Sequence, residues 1–144
     1  MSSISEELSL KYGRYRAQFG QADLGKLVAP PEIRVDYQTI RTPIRESSNA
    51  VLTGEVESAP RLTGEAILNL AACDAAWALL EDDLWMTREL RLSPETPGTG
   101  VVLRFPAAQL EPRWEFQPAA AGPHTLRIHL RLRMDSAGKI FHRA

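Results

Sequence analysis

Residues 124–134, HTLRIHLRLRM, alternate without a break. Leu126, Ile128, Leu130, Leu132 and Met134 fall on one side, and Thr125, Arg127, His129, Arg131 and Arg133 on the other. A period of two is that of a β-strand with one face buried and one face on water or on a partner. A strand this long predicts a principal member of a sheet. Its outer face carries a row of arginines around one histidine, which solvent alone does not require. The row points to an opposing acidic surface, a subunit neighbour or a polyanion, set against a plain solvated face.

Outward from that strand the chain reads as further short strands. Ile33, Val35 and Tyr37 alternate with Arg34, Asp36 and Gln38, and Pro43 turns the end of that run into an edge or a bend. Residues 45–50, RESSNA, are turn formers and predict a loop or hairpin tip projecting from the sheet. Val51 to Ser58 and Arg61 to Leu70 follow as strands, each carrying the tetrapeptide LTGE, at 52–55 and 62–65. The echo is too short for a repeat domain. Gly54 and Gly64 within it suggest bulges or close backbone approach. Strands are also expected at Leu84 to Leu92, at Val101 to Phe105 closed by Pro106, at Gln109 to Gln117, and at KIFHR after a turn at Asp135 to Gly138.

Residues 72–83, ACDAAWALLEDD, predict one helix, with Ala76, Trp77, Leu79 and Leu80 as its apolar stripe. It falls between two blocks of strands instead of alternating with them. The expected fold is therefore mainly β: an antiparallel β-sandwich or barrel of about eight strands with one packed helix. Residues 1–29 read as an N-terminal arm, mobile or ordered by a partner, or else as a short amphipathic helix capping the core; residues 30–144 form the β domain.

Composition sets bounds on function. With 144 residues, 44% hydrophobic and 24% charged, the chain has ordinary globular composition and enough length for one core. A net charge of −1 excludes a globally basic polyanion binder, so any nucleic-acid contact would need a local patch. The lone Cys73 excludes an internal disulfide and reads as a small buried hydrophobe. No apolar run approaches the roughly 18 residues of a membrane helix, and the N-terminus lacks the apolar core of a signal peptide, so no membrane anchor is expected. No dinucleotide, P-loop or nucleophile-elbow motif is present. His124 and His129 have opposite parity and cannot share a site. No enzyme activity, cofactor or metal is expected. Glu81, Asp82 and Asp83 read as a solvated helix end or as salt-bridge partners. Trp77, Trp85 and Trp114 read as core packing, with base stacking as the alternative.

The order of segments resembles the major tail tube proteins of long-tailed bacteriophages. The correspondence runs through EIRVDYQTIRTPIRESSNA, EAILNLAACDAAWALLEDD, VVLRFPAAQL and HTLRIHLRLRMDSAGKIFHR, covering roughly residues 30–143. It is a pattern with no single diagnostic motif, and contractile tails, tailocins, gene-transfer agents and type VI secretion share the same tube fold. The departures are a long polar N-terminal arm and a short middle. The resemblance implies a β-sandwich protomer of which six copies close a ring, with rings stacking into a hollow tube that conducts DNA without gripping it. It further implies a virion tail protein assembled in the host cytoplasm, with other tail proteins at the tube ends.

On that basis two complementary subunit surfaces are expected. Arg127, Arg131 and Arg133 lie on one, and Glu55, Glu57 and Glu65 on the other, since a head-to-tail ring needs two different patches. Ring-to-ring contacts are expected from Arg45, Glu46, Ser47 and Ser48 of the loop and from Tyr12, Tyr15 and Phe19 of the arm. Alternatives are a tail terminator or head–tail connector, which would form single rings, and a small nucleic-acid-binding β-barrel using the arginine row. An enzyme or lipid carrier with a barrel cavity fits least, because polar residues do not converge.

Overall fold

The computed structural model describes residues 15–38, 41–45, 52–57, 61–96, 98 and 100–143; for 38, 41–45 and 52–57 it describes the backbone only. The strands are β1 (Tyr15–Phe19), β2 (Ala22–Lys26), β3 (Glu32–Gln38), β4 (Arg41–Arg45), β5 (Leu52–Glu57), β6 (Arg61–Ala71), β7 (Thr87–Pro94), β8 (Leu103–Gln117), β9 (Thr125–Arg133) and β10 (His142–Arg143). Helix α1 spans Asp74–Asp82, between β6 and β7. The expected class holds: the chain is mainly β, antiparallel, with one helix among the described residues. No helix among them is long and apolar enough to cross a membrane.

Eight strands form one sheet in the order β2-β1-β7-β8-β9-β6-β3, with β10 pairing β8 just beyond the end of β9. The sheet curls until Leu27, the residue after β2, bridges antiparallel to Leu70 of β6, and Val28 N donates to Asn69 O at 2.9 Å. The curl encloses the apolar residues that strand parity sends inward. From β9 these are Leu126, Ile128, Leu130 and Leu132; Ala66, Leu68 and Leu70 come from β6, and Leu90, Leu92, Phe105, Ala108 and Leu110 from β7 and β8. Ala76, Leu79 and Leu80 of α1 join them, so the helix packs its stripe on this core. Among the described residues β4 and β5 pair only with each other, as a two-stranded hairpin around the expected tip. The tip itself, including Glu46, Ser47 and Ser48, lies outside the described residues.

Three expectations are corrected. The arm does not extend to residue 29: β1 and β2 form a hairpin in the main sheet, β1 pairs along β7, and Phe19 is 0% exposed in the core. Alternating burial of Ala17 and Phe19, hidden by the glycines around them, is what places this segment. Residues 1–14, with Tyr12, lie outside the described residues. The stretches expected as separate strands at 101–105 and 109–117 run together as one strand, β8, which starts at Leu103. Its prolines are tolerated because Pro106 and Pro112 sit where the ladder slips, against β7 between Arg88 and Leu90 and against β9 between Leu110 and Trp114. β7 starts at Thr87 instead of Leu84, because residues 84–86 make a turn. There Trp85 has φ 70°, and its N–H donates to Leu110 O at 2.8 Å.

The two LTGE echoes behave as glycine positions should. A Cβ on Gly64 would lie 2.8 Å from Arg34 O, a backbone atom of β3. Beside Gly54 the β4–β5 register slips between Ile44 and Arg45.

Candidate assembly surfaces

The outward face of β9 meets residues of the same parity on its neighbours. Asn69, Glu65 and Thr63 of β6 face Arg127, Arg131 and Arg133, while Glu115 and Gln109 of β8 face Arg127 and Arg131 from the other side. Acids of the same chain meet most of the row. Arg127 reaches over β6 to Glu32 of β3 at 3.0 Å, and Arg131 donates to Glu111 at 3.3 Å. Arg133 donates to Gln109 Oε1 at 3.0 Å. His129, only 5% exposed, sits 2.9 Å from Glu65 Oε1. Arg113 adds a looser contact to the same carboxylate at 3.9 Å. The His129 hydrogen bond holds the Glu65 carboxyl below its ordinary value, with burial opposing the shift and the charges of His129, Arg113 and Arg34 adding to it.

This face is therefore a mosaic of short ion pairs, each contributing about 0–1 kcal/mol at the surface. It is not the uncompensated basic stripe that the β9 sequence suggests in isolation. Glu65 shares the face of the arginine row and binds it from within the chain, so it is not part of a separate acidic patch. Glu55 and Glu57 belong to β5 of the β4–β5 hairpin, where the backbone alone is described. Glu32, Glu111 and Gln109 were not legible as partners. They lie 20 to 95 positions from the arginines they bind, and only the register brings them near.

Of the expected ring-to-ring residues, Tyr15 is half-buried at the start of β1 and donates its hydroxyl to Val101 O at 3.2 Å. Phe19 is withdrawn from that role by its burial. Arg45 ends β4.

Two other surfaces stand out. β3 is the last strand of the sheet and pairs only β6 among the described residues. Its core-parity residues overhang the barrel, leaving Val35 43% and Tyr37 66% exposed. At the other end of the strands, α1 lays Trp77 against Trp114 (centroids 5.9 Å, edge-on) and Phe116 (5.6 Å) on the distal part of β8. His124 packs edge-on to Phe116 at 5.3 Å and accepts a hydrogen bond from Ala119 N at 2.9 Å through Nδ1. Trp77 and Trp114 thus pack on each other at the margin of the core, but Trp114 and Trp85 are both exposed, which corrects the expectation of core packing for those two. Asp83 of the helix-end acids pairs with Arg88 at 3.0 Å; Glu81 and Asp82 are exposed.

A curled antiparallel sheet with an internally paired outer face, and with β3 unpaired on its far side among the described residues, defines a mainly β protein. No family model and no curated protein matches the sequence. Solved structures match its fold. One is a chain of the sheath–tube complex of the extracellular contractile injection system PVC in its extended state, with TM-score 0.53, 9% identity and 99% of each chain covered. Another belongs to the anti-feeding prophage cap that terminates the AFP tube, with TM-score 0.51, 9% identity, and 91% of this chain and 87% of that one covered. A third belongs to the virion of a native gene transfer agent particle, with TM-score 0.50, 10% identity, and 90% and 95% covered. The chain carries the tail tube-like fold.

Proposed function

We propose that this protein is a structural subunit of a phage-like tail. Six copies close a ring, and rings stack into a hollow tube through which DNA passes without specific binding. The role is architectural, with no catalytic step and no cofactor. The protein would reside in the tail of the particle after assembly in the host cytoplasm, with other tail proteins meeting the tube at its ends. The observation that carries this reading is end-to-end agreement in fold with a chain of a sheath–tube complex, 99% of each being covered. The open β3 edge supports it, because an exposed edge strand with apolar residues on its core-side face is a hazard in a monomer and a joint in an assembly.

Arg127, Arg131 and Arg133 keep a subunit-facing role in this proposal. Arg131 and Arg133 remain exposed despite their internal partners, and Glu55 and Glu57 of a neighbour's hairpin are the counterpart. Assembly that survives reversal of charge at Arg131 overturns that assignment. Arg45, the tip at 46–48, Tyr12 and Tyr15 remain proposed ring-to-ring contacts.

Negative-stain electron microscopy of the purified protein at rising concentration tests the whole reading. Long hollow tubes of uniform width, six-fold in end views, are expected. Single rings that never stack favour a second reading, a tube terminator, which the likeness to the AFP cap chain supports. A nucleic-acid-binding barrel is disfavoured because Arg127 and Arg131 of the row are matched by carboxylates of their own chain. It would require salt-dependent binding of single-stranded DNA.

A further inference from the structure

Two charged groups on the described surface are left without counter-charges by the chain's own pairing, and they are opposite in sign. The first lies on the sheet wall beyond the arginine row. Arg91 of β7 and Arg104 of β8 are direct cross-strand partners, and Arg104 is also the direct partner of His142 on β10. Directly opposed side chains share a face with Cβ atoms about 5 Å apart, and like charges so placed oppose each other. Among the described residues neither guanidinium makes an ion pair or a hydrogen bond. His142 engages Asp135 at 2.8 Å instead, and Arg104 Nε is shut off from solvent without an acceptor. Glu89, exposed two positions before Arg91, pairs with neither arginine.

The second group is Glu81 and Asp82, exposed in the last turn of α1. That end of a helix already carries partial negative charge, and α1 has no basic residue in its last turn. The neighbouring Arg88 is committed to Asp83, at 3.0 and 3.4 Å. With a net charge of −1 for the whole chain, both surpluses are local.

We propose that the Arg91–Arg104 pair is a carboxylate-receiving site, and that its occupant is the Glu81–Asp82 end of α1 from a second copy of the chain. The inference rests on the self-assembly reading above. A guanidinium fork matches a carboxylate in two parallel hydrogen bonds, and such a contact relieves the repulsion at both patches at once. The patches sit on different elements, so each copy offers one of each and the contact is heterologous. That geometry closes a ring or propagates a stack. A long polyanion is the poorer occupant, because the site is a pair of arginines bordered by Glu89 and by Asp135, not a continuous basic track.

The test uses the full chain and follows assembly against concentration by light scattering and sedimentation. Arg91→Glu, and separately the double variant Glu81→Arg with Asp82→Arg, should each raise the concentration for half-assembly about tenfold or more. Mixing the two proteins, or combining all three changes in one chain, should recover part of the lost assembly, because Arg104 keeps its charge. Thermal melts check that each variant is folded, and Arg91→Gln supplies a neutral version with a smaller effect in the same direction. Wild-type assembly with an indifferent Arg91→Glu overturns this inference alone. Weakened assembly that neither mixing nor combination improves overturns the occupant. A wild type that stays monomeric at every concentration overturns the self-assembly reading and this inference with it.

Discussion

At Gly64 the β3 and β6 backbones come so close that no side chain fits. A Cβ there would stand 2.8 Å from Arg34 O, 3.2 Å from Ile140 Cδ1 and 3.3 Å from Leu132 Cβ. The first neighbour is backbone held in a ladder and cannot yield as a side-chain tip can. Gly64→Ala should therefore destabilise the fold by about 1–3 kcal/mol, read as a lower urea midpoint at unchanged slope. The next residue, Glu65, carries a pH dependence. Its carboxyl is held below its ordinary value, first by the hydrogen bond from His129. A depressed folded value means that the stabilisation is complete above the unfolded value and is lost as pH falls through the folded one. Glu65→Gln should accordingly flatten the fall in melting temperature below about pH 4.5, while the wild type loses stability across that window. With Glu65 about a third exposed, solvent reduces the effect.

Among the elements, α1 matters for what it holds down. The distal half of β8 runs past the core, and from Pro112 to Gln117 its residues are exposed. Trp77 bridges the helix to that overhang through Trp114 and Phe116. Trp77→Ala should cost about 2 kcal/mol, below the range for a fully buried tryptophan because the ring is half-buried, and should diminish the near-UV circular dichroism of the cluster. The helix was legible in the sequence because its stripe repeats at helical spacing and only its ends differ, 74–82 against 72–83. β9 was legible because it alternates strictly. β8 was not, because Pro106 and Pro112 read as strand ends until the register shows that both sit at slips in the ladder. The β9 charges left an acidic surface, a subunit neighbour or a polyanion open as partners, and carboxylates of the same chain meet most of them. Their source, β3, β6 and β8 of the same chain, is set by register, which a single strand does not encode.

Across the whole molecule, the barrel closes through a segment that the sequence disguises. Glycines at 20 and 25 make residues 15–26 read as irregular. Both have positive φ, Gly20 in the β1–β2 turn and Gly25 beside the slip between Ala17 and Gln18, so they are what allows the hairpin to form. The hairpin completes the wall in two ways. β1 covers the edge of β7 from Phe19 to Tyr15, and Leu27 ties the far side to Leu70 of β6. It also puts Ala17, Phe19, Leu24 and Leu27 into the core, each at most 1% exposed. An appendage that served only assembly could be removed without loss of the monomer; a strand pair that closes the barrel cannot. Deletion of residues 1–26 should therefore abolish cooperative unfolding and leave aggregated or molten protein, seen as lost near-UV dichroism and collapsed amide dispersion in NMR spectra. Phe19→Ala, which keeps the backbone, should remain folded but lose about 3–5 kcal/mol. A truncated chain that stayed monomeric with a sharp thermal transition would return the hairpin to the status of an arm, and with it Phe19 to the candidates for contact between rings.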